Sequence, residues 1–501
     1  MQIVPKIVNA VFAARLREIE FFRRQGVAVQ QSQLQYILSS NTSIEYFAGH
    51  AITNYELFKK SLPVVTYEEF SPWIERVRQG QVNLLSRDAT RFFAKSSGTT
   101  NSQSKYIPIN GTSLSKNHMQ GGRDVLAVFS DNFPRSRALG GKSLTLGGAH
   151  RIEGLGRLVT GDLSAILIEN TPWYFASKRI PCKKIALEGN FQRKVELICQ
   201  HCLHQDVTNF AGVPSWNLVL MNRILEYSSK NSLLDVWPNL SLFVHGGISF
   251  TPYRSEYERI IPSSDMVYME TYNASEGFFA LADDPSDSSM LLMLDIGVFY
   301  EFRDMVSGEV LPLEGVVVGR NYAMIITTVG GLWRYMIGDT VVFSSVSPYK
   351  IRISGRTKHY INAFGEELIV DNAEHALQRA CQGCGVSIVE YTAAPVFMEA
   401  GGKGSHEWFI EFVTPPQDEA LFIRLLDETL IELNSDYAAK RFCNSTLLAP
   451  SLRVAPKGTF YRWMHSRGKV GGQNKVPRLF NTREYVEQLQ EFVSPTSNTV
   501  E

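Results

Sequence analysis

Between Phe92 and Pro108 a short apolar run opens into Ser96-Ser97-Gly98-Thr99-Thr100-Asn101-Ser102-Gln103-Ser104-Lys105 and closes again in Tyr106-Ile107-Pro108. The hydroxyls of Ser96, Ser97, Thr99 and Thr100 are donors suited to phosphate oxygens. So are the successive backbone N–H groups, which a turn can gather into an anion-binding nest. Gly98 has no Cβ and lets backbone approach a ligand closely. Lys105 adds a point charge. The stretch is not a Walker A loop, which needs Gly-Lys-Ser/Thr after a glycine and four residues. Alone, it reads equally well as a solvated Ser/Thr turn.

Further clusters extend the pattern. Tyr272-Asn273-Ala274-Ser275-Glu276 ends an apolar run, and Trp333-Arg334-Tyr335-Met336-Ile337-Gly338-Asp339 joins two others. Gly471-Gly472-Gln473-Asn474-Lys475-Val476-Pro477-Arg478 lies near the C-terminus. Tyr272 could stack on a base, and Asp339 could accept ribose hydroxyls. Glu276 could hold Mg²⁺ alongside phosphate oxygens and water. Lys475 could meet charge developing at an α-phosphate and a leaving pyrophosphate. Singly, each has a plainer reading. Glu276 could start a helix, Asp339 could serve a turn and Lys475 could be a solvated charge.

Composition sets the bounds. A chain of 501 residues exceeds one hydrophobic core and is expected to form about two to four domains. Its 44% hydrophobic and 20% charged content is that of a globular protein. Zero net charge and a pI of about 7.1 give no global attraction to nucleic acid or anionic membrane. No apolar run reaches the length of about 18 residues that a membrane span needs. Arg15, Arg17, Glu18 and Glu20 interrupt any signal-peptide core. Ile3, Val4, Ile7, Val8, Val11, Phe12, Leu16, Ile19 and Phe22 recur at helical spacing. An N-terminal amphipathic helix on the protein's own core is therefore expected, in a cytoplasmic setting with free thiols. Cys199/Cys202 and Cys381/Cys384 each have CxxC spacing, which admits zinc. Their distance in sequence, and the helix-like surroundings of the first pair, favour plain thiols.

The elements that must position these residues follow from periodicity. Helices are expected over 30–47, 67–80, 112–129 (capped by Ser113 or Ser115), 217–227, 371–381 and 418–434. Runs of strand length lie at 143–146, 165–168, 207–210, 240–248, 265–277 and 408–413. The N-terminal alternation predicts α/β organisation with a largely buried sheet. Ligands in such sheets bind beyond the carboxyl ends of strands, so Gly246-Gly247 is a candidate approach, weighed equally against a plain turn. From 291 to 343 the β-branched content predicts a smaller, antiparallel or barrel-like sheet. Ser354 to Lys358 reads as a break. It separates a large domain over 1–354 from a small α+β domain over 355–501 that carries Lys475.

In this order the motifs resemble those of the auxin-responsive acyl-acid amido synthetase family, within the acyl-adenylate-forming superfamily. Ser96 to Thr100 matches the phosphate loop. Tyr272 to Glu276 is similar to Tyr-Ala-Ser-Ser-Glu, and Trp333 to Asp339 to Tyr-Arg-Met-Arg-Ile-Gly-Asp. Gln473 to Arg478 resembles the Gln-Tyr-Lys-Val-Pro-Arg segment that carries the C-terminal lysine. Gly355 to Lys358 resembles the superfamily hinge, with Lys358 at its pivot. The resemblance covers roughly residues 90–480. Asn101, Asn273 and Asn474 depart from the family's residues at their positions.

The resemblance implies a two-step ligase using ATP and Mg²⁺. A carboxylate attacks the α-phosphate to give acyl-adenylate and pyrophosphate. An amino acid's amine then takes the acyl group and releases AMP, the small domain rotating between steps. ATP would be bound by Ser96, Ser97, Gly98, Thr99, Thr100, Gly246, Gly247, Tyr272, Ser275, Asp339 and Arg356, with Glu276 on Mg²⁺ and Lys475 in the adenylation transition state. Tyr272 or Gly246-Gly247 would flank adenine. His150, Tyr174, Val213, Pro214 and Trp216 are candidates for the acyl pocket, without a matching motif. The partners are a small carboxylic acid and an amino acid, with no nucleic acid and no membrane span. Nothing in the sequence sets an oligomeric state. Alternatives are an acyl-CoA ligase using the same adenylate, and a catalytically silent nucleotide-binding protein. Intact Glu276, Asp339 and Lys475 argue against the latter.

Overall fold

The structure, a computed structural model, describes every residue except 1–2, 51, 97–104, 149, 153–157, 248–249, 357–359, 362, 364–365, 367, 398–403, 435–436, 439–440, 442–446, 469–474, 481 and 494–501. At 3–11, 96, 150–152, 191, 215, 252, 356 and 360 it describes the backbone alone. The chain divides into two compact units. One is built from residues 1–248 and 260–353, the other from 249–259 and 354–501.

In the first unit, α1 (Ile3–Arg24) leads into α2 (Gly26–Ser39). Ile19 and Phe22 are buried. Arg15 meets Asp124 at 2.7 Å and Asp295 at 2.5 Å, so α1 lies on its own unit's core. The helix expected over 30–47 ends with α2 at Ser39, and a separate short 3₁₀ turn covers Glu45–Phe47. Gln30 is buried on α2 and satisfied there. It donates to the Leu294 and Val298 carbonyls at 2.8 and 2.9 Å and accepts from the Tyr300 N–H at 2.9 Å. A Thr66–Glu69 capping box starts α3 (Tyr67–Arg78).

The antiparallel pair β1 (Thr90–Ser96) and β2 (Lys105–Asn110) flanks the hydroxyl-rich loop, with Ser96 opposite Lys105. The next helical segment is capped by Asn110, not by Ser113 or Ser115. The Ser113 N–H donates to Asn110 Oδ1 at 2.8 Å, and the Asn110 N–H returns a bond to Ser113 Oγ at 3.2 Å. Ser113 thus supplies the reciprocal half of a capping box. A π-helical turn, Leu114–His118, continues into α4 (Met119–Asn132). Such turns are rare and recur at functional sites.

Four strands form the parallel half of a twelve-stranded sheet: β3 (Lys142–Thr145), β4 (Val207–Gly212), β5 (Leu242–Gly246) and β6 (Val267–Ala274). The short strand Arg179–Ile180 runs parallel outside β3. The run 165–168, expected as a strand, lies in α5 (Leu163–Asn170). Leu163, Ala165, Ile166 and Ile168 are all buried. A continuous apolar run does not separate a buried strand from a buried helix.

The strands over 291–343 do not form a separate sheet. β7 (Gly277–Leu281) turns back antiparallel on β6. The same sheet then continues through Met290–Leu292, Tyr349–Arg356, β8 (Tyr335–Val346), Asn321–Thr328, Val298–Asp304 and Val310–Pro312. β-Branched composition marks strands without naming their neighbours. The antiparallel part does curl. Tyr272 on β6 donates to Asp339 Oδ2 on β8 at 2.7 Å, although β8 lies four strands away in the sheet. Spacings of about 4.8 Å would put them about 19 Å apart in a flat sheet.

The second unit pairs β9 (Ile388–Val396) antiparallel with β10 (Ser405–Phe412), and β10 parallel with β11 (Ser451–Ala455). Helices α7 (Val370–Cys384) and α8 (Glu419–Leu433) share its core through Leu377, Trp408, Phe422 and Leu426. Cys182, Cys199, Cys202, Cys381 and Cys384 are free thiols. Among the described residues no group of three or more His, Cys, Asp or Glu side chains could hold a metal ion. No described helix is long and apolar enough to cross a membrane.

Arg334 immediately precedes β8 with φ +43°. Its fork makes two bonds of 2.8 Å to Glu301 and donates to the Leu62 and Lys59 carbonyls at 2.7 and 3.0 Å. Both side chains are buried. Removing one charge of a buried pair strands the other. Glu301→Gln, which preserves shape, should lower the unfolding free energy by about 3 kcal/mol, read as a fall in urea midpoint with an unchanged slope.

Candidate active site

The parallel register gathers several of the candidates. Gly212 lies beside His245, and Gly246 beside Thr271. The carboxyl ends of β4, β5 and β6 therefore share one edge. From them issue Val213-Pro214, Gly246-Gly247 and Ser275-Glu276. Pro214 opens helix α6 (Pro214–Ser228), which also carries Trp216, and both are buried. Ser275 is buried and Glu276 half-buried, in the turn between β6 and β7.

The glycine pair is required by the fold. A Cβ on Gly246 would meet the Thr271 carbonyl oxygen at 2.4 Å, and Gly247 has φ +87°. Strand β5 can approach β6 and turn only because both side chains are missing.

Asp339 joins the site from β8. It is buried, and Tyr272 fixes its carboxylate through the bond of 2.7 Å. Tyr272 is itself buried, its ring 5.0 Å from that of Phe279. A carboxylate has about four lone-pair positions, more than the one phenol uses.

The hairpin bearing Ser275 and Glu276 is tied down by Asn117, a residue the sequence reading missed. Asn117 Oδ1 accepts from the Phe278 N–H at 2.7 Å, and its Nδ2 donates to the Phe278 and Ile296 carbonyls at 3.0 Å each. It stands in the π-helical turn, where the altered register swings it towards β7. Helical periodicity carries no signal for that. Lys194 was also missed. It is buried and donates to the Gly147 carbonyl, just past β3, and burial pushes its ammonium pKa down to about 8.

Other candidates lie elsewhere. Tyr174 is half-exposed on the short helix Trp173–Ala176. The neighbouring Ser177 carbonyl accepts from Lys142 at the start of β3, at 2.9 Å. That is the amino-terminal edge of the parallel strands, so Tyr174 is not gathered with Val213 and Pro214. His150 begins the strand His150–Ile152 in a separate four-stranded sheet with β1 and β2. Ser96 ends β1 and Arg356 ends Tyr349–Arg356. Ser97, Gly98, Thr99, Thr100 and Lys358 lie outside the described residues. Lys105, at the foot of the loop, sits 5.4 Å from the Tyr67 ring centroid.

Lys475 belongs to the second unit. The backbone after it is strapped to β9. Thr392 Oγ1 donates to the Pro477 carbonyl at 2.6 Å, and the Ala393 N–H to that of Arg478 at 2.8 Å.

A parallel sheet half with candidate site residues at its carboxyl edge, continued by a curled antiparallel half, is a fold shared with solved enzymes. The 2-hydroxyisobutyryl-CoA ligase, solved in its postadenylation state with 2-HIB-AMP, superposes over 94% of both chains with a TM-score of 0.60 at 13% identity. The AtGH3.15 acyl acid amido synthetase, solved with 2,4-DB, superposes over 95% of both chains with a TM-score of 0.79 at 19% identity. Residues 15–266, 291–356 and 371–484 match the GH3 family N-terminal, central and C-terminal domains, and the chain belongs to that family. It is 24% identical to the probable indole-3-acetic acid-amido synthetase GH3.1 of Arabidopsis thaliana, over 96% of this chain and 94% of the relative. It is 23% identical to the jasmonoyl–L-amino acid synthetase JAR4 of Nicotiana attenuata, over 92% of each.

The π-helical turn also carries a titratable marker. His118 is buried there, and burial pushes its pKa down from 6.5 to about 4. The folded state therefore keeps a neutral imidazole over a range in which the unfolded chain takes up a proton. This contribution is complete above pH 6.5 and is lost as pH falls through about 4. Unfolding free energy should drop by about 3 kcal/mol across that window. His118→Gln should flatten that part of the pH profile in urea titrations.

Proposed function

We propose that this chain is an ATP-dependent acyl-acid amido synthetase, a ligase that joins a carboxylic acid to an amino acid through an acyl-adenylate. The observation that carries the reading is the Tyr272–Asp339 hydrogen bond. It brings two of the resemblance-bearing motifs into one buried constellation at the end of the parallel strands.

In the first step the acid's carboxylate attacks the α-phosphate of ATP and pyrophosphate departs. Asp339, oriented by Tyr272, accepts the ribose hydroxyls. The backbone at Gly246-Gly247 lies against adenine. The loop from Ser96 to Thr100 donates to phosphate oxygens. The Glu276 carboxylate is a hard oxygen donor at the strand edge, and Mg²⁺ typically takes one or two carboxylates together with phosphate and water, so this donor fits it. When bound, the ion would screen the triphosphate charge. Lys475 meets the charge that develops on the α-phosphate. Val213, Pro214 and Trp216 flank the acid.

In the second step the amine attacks the adenylate carbonyl and AMP leaves. Residues 355–501 act as a small domain that carries Lys475 away between the steps, and Arg356 and Lys358 serve its hinge. Free Cys182, Cys199, Cys202, Cys381 and Cys384 support a cytoplasmic setting. The two relatives above are named for indole-3-acetic acid and jasmonoyl conjugation, and a further relative, 23% identical, is the 4-substituted benzoates-glutamate ligase GH3.12 of Arabidopsis thaliana; these acids form the first panel.

Phosphorus NMR of Mg·ATP with that panel and pooled amino acids should give acid-dependent AMP and pyrophosphate. Adding CoA in place of amino acids identifies the acceptor, and a thioester would move the chain to the ligase class of its CoA-dependent neighbour. ADP and phosphate as products would overturn the adenylate. Lys475→Ala should lower the adenylation rate by about 100- to 1,000-fold while ATP affinity, measured by calorimetry, stays within about twofold. Tyr272→Phe should weaken ATP by about fivefold, the worth of one hydrogen bond. Unchanged affinity would remove Asp339 from the ribose site.

A further inference from the structure

Arg478 lies three residues beyond Lys475, and its surroundings exceed what a surface strap needs. The hydrophobic side chains of the strap are already anchored. Val476 packs in a small core with Phe460, Trp463 and Tyr485, and Leu479 in the main core of the second unit. The backbone is bonded to β9 on both sides of Arg478, through the Pro477 carbonyl before it and through its own carbonyl and the Phe480 N–H after it.

Onto this the chain adds a nearly buried guanidinium, its side chain 12% exposed. Arg478 pairs with Glu390 and lies 3.9 Å from Glu374. It donates to the Tyr253 hydroxyl at 3.1 Å and stacks 4.6 Å from the Tyr391 ring centroid. Tyr391 in turn donates to Glu374 at 2.9 Å. A planar fork gripped from several directions fixes orientation, which an ammonium on a flexible stem does not. Tyr253 belongs to the segment 249–259, which packs with the second unit although it follows Gly247 by only a few residues.

We propose that Arg478 is a positioning residue for the adenylation step, holding Lys475 through its contacts with Tyr253, Glu374 and Glu390. Three residues of extended chain span at most about 10 Å, so the fixed guanidinium sets where the lysine's backbone begins. A displacement of about 1 Å in such a group can cost about 100-fold in rate. The inference rests on the assignment of Lys475 proposed above.

The test needs no knowledge of the acid. Lys475 is acetylated with sulfosuccinimidyl acetate, with and without Mg·ATP, and its labelling rate is followed by mass spectrometry. At Mg·ATP about ten times its dissociation constant, occupancy allows about tenfold protection. Wild type should approach that value. Arg478→Lys and Tyr253→Phe should fall to about twofold protection with ATP affinity retained. A merely structural strap would shift melting temperature and the unprotected labelling rate, yet leave the protection ratio alone. Wild-type protection that persists in Arg478→Lys overturns the proposal and leaves the function standing. Should Arg478→Lys not fold, the same persistence in Tyr253→Phe decides against it. No protection in wild type removes Lys475 from the nucleotide site and sinks both readings together.

Discussion

The bond between Tyr272 and Asp339 imposes a constraint on the whole first unit. Two side chains on strands four places apart cannot meet across a flat sheet. The antiparallel half must curl back until β8 approaches β6. Several features of the sequence follow from that demand. Arg334 takes a left-handed backbone conformation where β8 begins, and Gly338 another, at φ +92°, beside Asp339. A register irregularity interrupts the pairing of β8 with Asn321–Thr328. Irregularities of this kind increase local twist. The buried Arg334–Glu301 pair sits at the same corner. It ties the start of β8 to the strand Val298–Asp304 of the same sheet and to the end of the helix Tyr55–Ser61. A buried pair is weak support for stability but costly to break, so its role here is to hold one geometry.

The opposite side of the constellation is held by backbone. Gly246 has no side chain because the Thr271 carbonyl occupies the space. Asn117 bonds both the N–H and the carbonyl of Phe278 through an amide that mimics a strand neighbour. The turn bearing Glu276 is thereby fixed at its base while Glu276 stays half-exposed. The Mg²⁺ role proposed for Glu276 would draw on that combination of a rigid base and a part-exposed side chain.

Legibility followed the range of the interactions. The hairpin around the hydroxyl loop, the parallel strands and the helices of the second unit were readable, because alternation and helical spacing are local. The motifs were readable as clusters of suitable types. Pairing across long separations was not. The strands over 291–343 carried a clear β composition but no sign that they extend the sheet of β6. The run at 165–168 was ambiguous in principle, since a buried helix and a buried strand are equally apolar. Asn117 and Arg334 were invisible for a related reason. One depends on a π-helical register and the other on a partner 33 residues away, and neither leaves a periodic trace. Tyr174 was chosen for its aromatic type. Its place at the amino-terminal edge of the parallel strands depends on the register of Arg179–Ile180 beside β3, which the aromatic type does not carry.

The two units solve the same problem by different means. In the first, Asp339 and Glu276, which we propose face a ligand that is itself negative, are fixed by hydrogen bonds and backbone shape. The second must present a single cation. A lysine carries about 2 kcal/mol of rotamer entropy and is a poor fixed point, so its precision has to come from the chain beneath it. The strap along β9 supplies the translation through Thr392 and Ala393, and the Arg478 cluster supplies the orientation. Such an arrangement anchors the lysine at its root. In the reaction proposed above, that root carries a charge needed at the first step and withdrawn before the second.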